Sequence, residues 1–201
     1  MAGLAVCGLL AGCGGTQQDA HEPDATFHME VTHASFPEKQ AIASPVTLTI
    51  RVHNSGAKTV PNVAITVDSF NYRSKFPELS ASSRPVWAVE HGPGLSPHPP
   101  VQSVDVSKPG SGQTAYVNTW ALGPLAPGAT HAFSWLVVPV KSGRHVVHYS
   151  VAPGLAGRSR ARATNGKLHG TFLVDVAAAP PPTHVNPNTG RVEAGAEPTG
   201  Q

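Results

Sequence analysis

The stretch VTLTIRVHNSGAKTVPNVAITV, Val46 to Val67, decides the fold. Its first nine residues alternate between apolar and polar side chains, so that Val46, Leu48, Ile50 and Val52 share one face. Strict alternation of this kind is typical of a β-strand with one buried face. We therefore predict a strand that covers this segment.

The residues that follow contain the signals of a turn. NSGAKTVPN includes Gly56, a residue free to adopt a positive φ, and VAITV (Val63 to Val67) then resumes the alternation. We expect strands 46–54 and 63–67 to form a β-hairpin.

The remainder of the chain repeats this pattern. Further candidate strands are FHMEVTHA (27–34), TAYVNTWAL (114–122), HAFSWLVVPV (131–140), RHVVHYSVA (144–152) and GTFLVDVA (170–177). Twenty glycines and twenty prolines in 201 residues leave little room for long helices. The sequence predicts an all-β protein, an immunoglobulin-like antiparallel β-sandwich of about seven strands. The predicted core is Val46, Leu48, Ile50, Val52, Val63, Ile65, Val67, Phe133, Trp135, Val137, Val147, Tyr149 and Val151.

A long insertion interrupts the predicted sandwich at residues 69–113. Loops longer than about 12–15 residues are often functional or disordered. The insertion mixes aromatic and basic side chains, which favours a partner surface: Tyr72, Arg73, Phe76, Arg84, Trp87 and His91. The alternative is a cover whose aromatic residues pack on the sandwich, with VWAVE as an edge strand.

Two segments of the chain resemble a known family. The stretch 46–67, together with LGPLAPGATHAFSWLVVPVKSGRHVVHYSVA (122–152), resembles bacterial extracellular immunoglobulin-like modules of the CARDB and DUF11 type. The resemblance covers about a quarter of the chain and departs from the family in the long insertion. It implies surface display, adhesion or envelope scaffolding, and no catalytic residue.

The N-terminal segment predicts a location. Residues 1–12 have the pattern of the apolar part of a secretory signal, and the missing basic lead predicts a true start upstream. LAGC, ending at Cys13, resembles the lipobox of bacterial lipoproteins, which implies a lipid-modified Cys13 on the extracytoplasmic face of the cell membrane. The alternative is that Cys7 and Cys13 are buried thiols or a disulfide pair.

These segments give a domain plan. Residues 13–26 form a flexible tether, 27–177 the sandwich with its insertion, and 178–201 a disordered Pro-rich tail. Because the formal charge is only +2, nucleic acid is an unsuitable partner.

Candidate chemistry is sparse. No Gly-x-Ser-x-Gly elbow is present, which argues against a serine hydrolase, and we expect no cofactor. Imidazole and thioether groups near the N-terminus could suit copper: His21, His28, Met29 and His33. Scattered, solvated histidines are the alternative interpretation of this set.

A basic run spans GRSRARATNGK (157–167). On an extended segment Arg158, Arg160 and Arg162 share one side and would suit an anionic lipid or polymer. The alternative is an edge strand protected by its charges against pairing with another sheet.

Together these features predict a lipid-anchored, extracytoplasmic, non-catalytic binding or scaffolding module of the bacterial cell envelope. Its partners would be the membrane, through the lipid, and an envelope protein or polymer. Two alternatives remain open: a copper- or zinc-binding envelope lipoprotein, and an accessory subunit that docks through its insertion.

Overall fold

The computed structural model describes residues 21–70, 85–94, 114, 116, 118–180, 182–186 and 188–195. In these residues the regular structure consists of β-strands, and no helix there is long and apolar enough to cross a membrane. The strands are β1 (Thr26–Ser35), β2 (Lys39–Ala41), β3 (Val46–Asn54), β4 (Ala64–Val67), β5 (Trp87–His91), β6 (Thr119–Ala121), β7 (Thr130–Pro139), β8 (Gly143–Ala152), β9 (Arg160–Ala163), β10 (His169–Ala177), β11 (Thr183–Val185) and β12 (Val192–Ala194).

Two five-stranded sheets form the body of the described chain. The first sheet has the order β5-β7-β3-β1-β9 and the second the order β2-β10-β8-β4-β6. The predicted immunoglobulin-like β-sandwich is confirmed. The sandwich has ten strands in the described residues, not about seven, and the additional strands are β2, β5 and β9. The sequence indicates β5 and β9 only as alternative edge strands, and all three have only three to five residues. Such short strands carry too little alternation to stand out in a sequence.

The predicted hairpin of Val46 to Val67 is wrong, since β3 belongs to the first sheet and β4 to the second. The buried side chain of Asn54 organises this crossing. It donates to the carbonyl oxygens of Lys58 and Leu125, both at 2.9 Å, and accepts from the Gly56 N–H at 3.0 Å. Gly56 does not need a positive φ; a Cβ there would lie only 3.2 Å from the Cβ of His28. A close approach of two backbones explains this glycine better than a turn does.

The core follows the alternation of β3. Leu48 lies opposite Trp135 and Ile50 opposite Phe133 in the pairing of β3 with β7, and all four are fully buried. Of the predicted core residues, Val46 is half-buried and the other twelve are buried. Burial of apolar area on this scale is the main favourable term in folding.

The N-terminal strands divide between the two sheets. β1 pairs in parallel with β9 in the first sheet, and β2 pairs in parallel with β10 in the second. The predicted tether, residues 13–26, extends too far toward the domain, because Glu22 is buried against the loop before β9. A carboxylate that accepts two backbone hydrogen bonds holds residue 22 on the sandwich.

Part of the predicted insertion belongs to the sandwich. VWAVE does form an edge strand, β5, and Trp87 is fully buried in it, so Trp87 cannot serve as the exposed partner residue we expected. Its indole ring contacts the rings of Phe36 and Phe70 in the core. Tyr72, Arg73, Phe76 and Arg84 lie outside the described residues.

The composition of the tail predicts disorder throughout residues 178–201, but part of the tail is ordered. Within residues 178–201, β11 and β12 form an antiparallel hairpin. The side-chain oxygen of Asn186 accepts the backbone N–H groups of Asn188 and Thr189, and this Asx-type turn closes the hairpin.

Candidate anion-binding face

Strands β1 and β9 contribute one part of the outer face of the first sheet. Their parallel register places Thr26 beside Arg160 and His28 beside Arg162. Phe27 and the other core-facing residues of β1 alternate with these polar positions, as the two faces of a strand require. Both arginines and His28 are therefore exposed on the outer face.

A bulge in β1 extends this face. The register with β3 shifts between Val31 and His33, and the extra residue keeps His33 on the outer side, opposite Arg51. Further along β3, His53 lies opposite Glu30. Directly opposed side chains on one face of an antiparallel pair have Cβ atoms about 4.5–5.5 Å apart. The polar side chains of three strands thus form one continuous surface.

We call this surface the basic face. It consists of three arginines and three histidines: Arg51, Arg160, Arg162, His28, His33 and His53. Among the described residues none of the three guanidinium groups forms an ion pair. Glu30 is the carboxylate that lies among them, and it accepts a hydrogen bond from the Asn165 side chain at 3.2 Å. With neutral histidines the face still carries an excess of positive charge.

The loop before β9 is fixed by Glu22. Its two carboxylate oxygens accept the N–H groups of Ala156 and Ser159, each at 2.6 Å, and the Ser159 hydroxyl donates to the Pro23 carbonyl oxygen at 2.8 Å. Gly154 allows this approach, because a Cβ there would lie 2.3 Å from the carboxyl carbon. Three hydrogen bonds between residues 22–23 and the loop before β9 therefore hold the edge of the basic face in place.

The described residues of the predicted partner surface lie at opposite edges of the first sheet. Arg158, Arg160 and Arg162 are all exposed, with Arg158 just before β9. β9 is also an edge strand, so the edge-protection interpretation remains compatible with the geometry. His91 is exposed too, on the edge strand at the opposite side of the same sheet.

The predicted copper set is not assembled. Met29 is fully buried and faces the core, so its sulfur cannot join an imidazole at the surface. His28 and His33 belong to the basic face, and His21 is exposed before β1. The described residues contain no group of three His, Cys, Asp or Glu side chains that could hold a metal ion.

Sequence reasoning missed Arg51 and His53 as parts of this face. Both are polar positions in the alternation of β3, which predicts that they point away from the core. The other members of the face, however, lie on β1, the neighbour of β3, and on β9, one strand further, and the parallel pairing of β1 with β9 has no local signal in the sequence.

A second polar cluster lies on the outer face of the second sheet. The Asp68 carboxylate forms two hydrogen bonds with His148. It accepts one from the backbone N–H at 2.9 Å and one from the ring Nδ1 at 2.7 Å. These residues, with Ser150, His169 and Thr171, line a shallow groove of about 270 Å³. Burial raises the pKa of Tyr149, whose ring forms part of the same groove, above its usual value of 10.0.

Comparisons with known proteins concern the fold. No family model matches the chain, and no curated protein matches it. Among solved structures it is similar to a CARDB domain from Pyrococcus furiosus, determined in complex with di-metal ions, at 14% identity over 75% of this chain and 94% of that chain, with a TM-score of 0.42.

The chain is also similar to two other solved structures. One is Escherichia coli alpha-2-macroglobulin from domain MG7 to the C-terminus, at 15% identity over 82% of this chain and 21% of that chain, with a TM-score of 0.41. The other is a PapD-like domain of human CEP192, at 12% identity over 89% and 98%, with a TM-score of 0.36. We base the functional proposal on the geometry of the chain itself.

Proposed function

We propose that the protein is a lipid-anchored, extracytoplasmic, non-catalytic binding or scaffolding module of the bacterial cell envelope. The lipobox-like LAGC sequence supports modification of Cys13. The basic face supports a binding role, with an anionic envelope component as its partner. The two features are independent and can be tested separately.

The observation that carries the binding role is the set of arginines on one side of the first sheet that form no ion pair within the part of the chain that the structure describes. Arg51, Arg160 and Arg162 come from two strands that lie on either side of β1 in the sheet, yet they share one face. A guanidinium group presents a planar array of donors that matches phosphate and carboxylate oxygens. A flat surface with several such groups suits an extended anionic partner better than a small molecule in a pocket.

The lipid anchor is tested by intact mass spectrometry of the protein from membranes of its native host. We expect cleavage before Cys13 with added acyl chains, and loss of the modification in Cys13→Ala. Cys7→Ala is the matched control, because residue 7 leaves with the signal in this scheme. An unmodified chain that retains residue 7 would overturn the anchor.

The binding role is tested with the unlipidated Cys13→Ala protein and a soluble polyanion, dextran sulfate. We expect binding that weakens as salt rises, as exchange of counterions requires. Replacement of Arg51, Arg160 and Arg162 by Gln should abolish it. Binding that is the same in this triple variant would show that the basic face is not the site.

A further inference from the structure

We propose that the basic face lies against the anionic phospholipid headgroups of the membrane that holds the lipid on Cys13. This inference rests on the proposed function, because it takes the anchor and the binding face as parts of one device. It assigns the partner of the face as a lipid surface and fixes which side of the sandwich is turned toward the membrane.

The charge distribution on the two sheets favours this orientation. On the outer face of the second sheet, Asp175 lies opposite both Lys39 and Arg144 in the strand register, so a carboxylate stands next to each of these two cations. Asp68 adds a further acidic group to that face. In the described strands β1, β3 and β9, by contrast, the basic face has three guanidinium groups, and Glu30 is the one carboxylate among them. An anionic surface therefore attracts the first sheet and not the second.

The described chain begins beside the edge of the basic face. Glu22 is held against the loop that leads into β9, and it lies nine positions after Cys13 in sequence. At about 3.3–3.6 Å per residue, this segment reaches at most about 30 Å. A lipid on Cys13 thus keeps the edge of the basic face within a short distance of the membrane.

The binding free energies explain why the basic face and the lipid anchor would act together. A basic side chain near an anionic membrane contributes about 1 kcal/mol, so three arginines alone give weak and reversible binding. Acyl chains provide the affinity, and a basic patch adds a second signal. Once the anchor confines the domain, even a weak patch selects the orientation, because the effective concentration of lipid is high.

The test isolates the face from the anchor by use of the full chain with Cys13→Ala. The probes are vesicles of phosphatidylcholine alone and vesicles of phosphatidylcholine mixed with phosphatidylglycerol, with binding measured by co-sedimentation. We expect binding to the mixed vesicles only, weakened by salt. The Arg51→Gln, Arg160→Gln, Arg162→Gln variant should bind about a hundredfold more weakly, which corresponds to about 1 kcal/mol per arginine.

A matched control removes the same number of charges elsewhere. Lys39→Gln, Arg144→Gln and Arg191→Gln replace exposed cations outside the basic face, and this variant should keep most of the binding. Equal losses in the two triple variants would overturn the proposal, since net charge and not the face would then control binding. Equal binding to neutral and anionic vesicles by the Cys13→Ala protein would also overturn it, whether or not either triple variant folds.

The outcomes also distinguish this inference from the proposed function. Binding to dextran sulfate without binding to anionic vesicles would overturn the lipid assignment and leave the binding module in place. Absence of acylation at Cys13 would overturn the anchor, whereas vesicle binding by the unlipidated protein would still support the face.

Discussion

Trp87 donates its indole N–H to the side-chain oxygen of Gln40 over 2.7 Å, and this hydrogen bond joins the edge strands of opposite sheets. Trp87 lies in β5 of the first sheet and Gln40 in β2 of the second. The Gln40 amide in turn donates to the Pro37 carbonyl oxygen at 2.8 Å. One end of a predicted surface loop is thereby part of the core.

Trp87→Phe should lower the free energy of unfolding by about 1–3 kcal/mol, because it leaves the buried oxygen of Gln40 without its donor. Urea unfolding followed by circular dichroism measures the change. Glu90→Gln, an exposed substitution in the same strand, is the control and should have little effect. A midpoint unchanged in Trp87→Phe would show that the bond contributes little.

Asn54→Asp should destabilise the protein more than Asn54→Ala. The amide group donates to two carbonyl oxygens, and a carboxylate would place a charged acceptor against them. We expect a loss of about 1–3 kcal/mol for each donor or acceptor left unpaired in the alanine variant. Thermal or urea unfolding of both variants tests this order, and the reverse order would contradict the assigned orientation of the amide.

Gly170→Ala should cost about 1–3 kcal/mol through overpacking. Gly170 lies opposite Tyr149 in the pairing of β10 with β8, and a Cβ there would be 2.5 Å from the Tyr149 ring. Tyr149→Ala should remove the clash, so the double variant should be more stable than the sum of the two single losses predicts. A double-mutant cycle measures this coupling, and additive losses would refute the contact.

The stability of the protein should fall as pH rises above about 10, where a free tyrosine ionises. Burial raises the pKa of Tyr149, so the folded state retains a proton that the unfolded state has lost. The contribution is fully present below the unfolded pKa and is lost as pH rises through the folded one. Tyr149→Phe should flatten this dependence, measured as the free energy of unfolding against pH.

The alternation in Val46 to Val67, repeated in residues 131–140 and 144–152, was enough to predict the class of fold and most of the buried residues of β3, β4, β7 and β8. It could not predict the partners of those strands. A strand pattern shows which face is buried, whereas strand order depends on contacts between distant segments. For this reason the expected hairpin proved to be a crossing between the two sheets, with Asn54 at its start.

The candidate site was predicted in part. The spacing of Arg160 and Arg162 indicated a shared side, and both residues are exposed on β9, whereas their contact with a partner stays a prediction. Arg51 and His33 join that side only through strand pairing and a bulge, neither of which leaves a local pattern. Trp87 shows the opposite failure, since an aromatic residue in a Pro- and Gly-rich segment looked like a contact residue and is instead core.

The division of the N-terminal strands between the sheets has a consequence for how the chain folds. β1 and β2 complete the two sheets by pairing with β9 and β10, and the contact of Glu22 with Ala156 spans 134 positions of sequence. Contacts this remote raise the contact order, and proteins dominated by them fold slowly. β1 can pair with β3 early, but the other side of β1 must wait for β9, and β2 must wait for β10. Both sheets then close together, which makes completion of the sandwich a late and cooperative event.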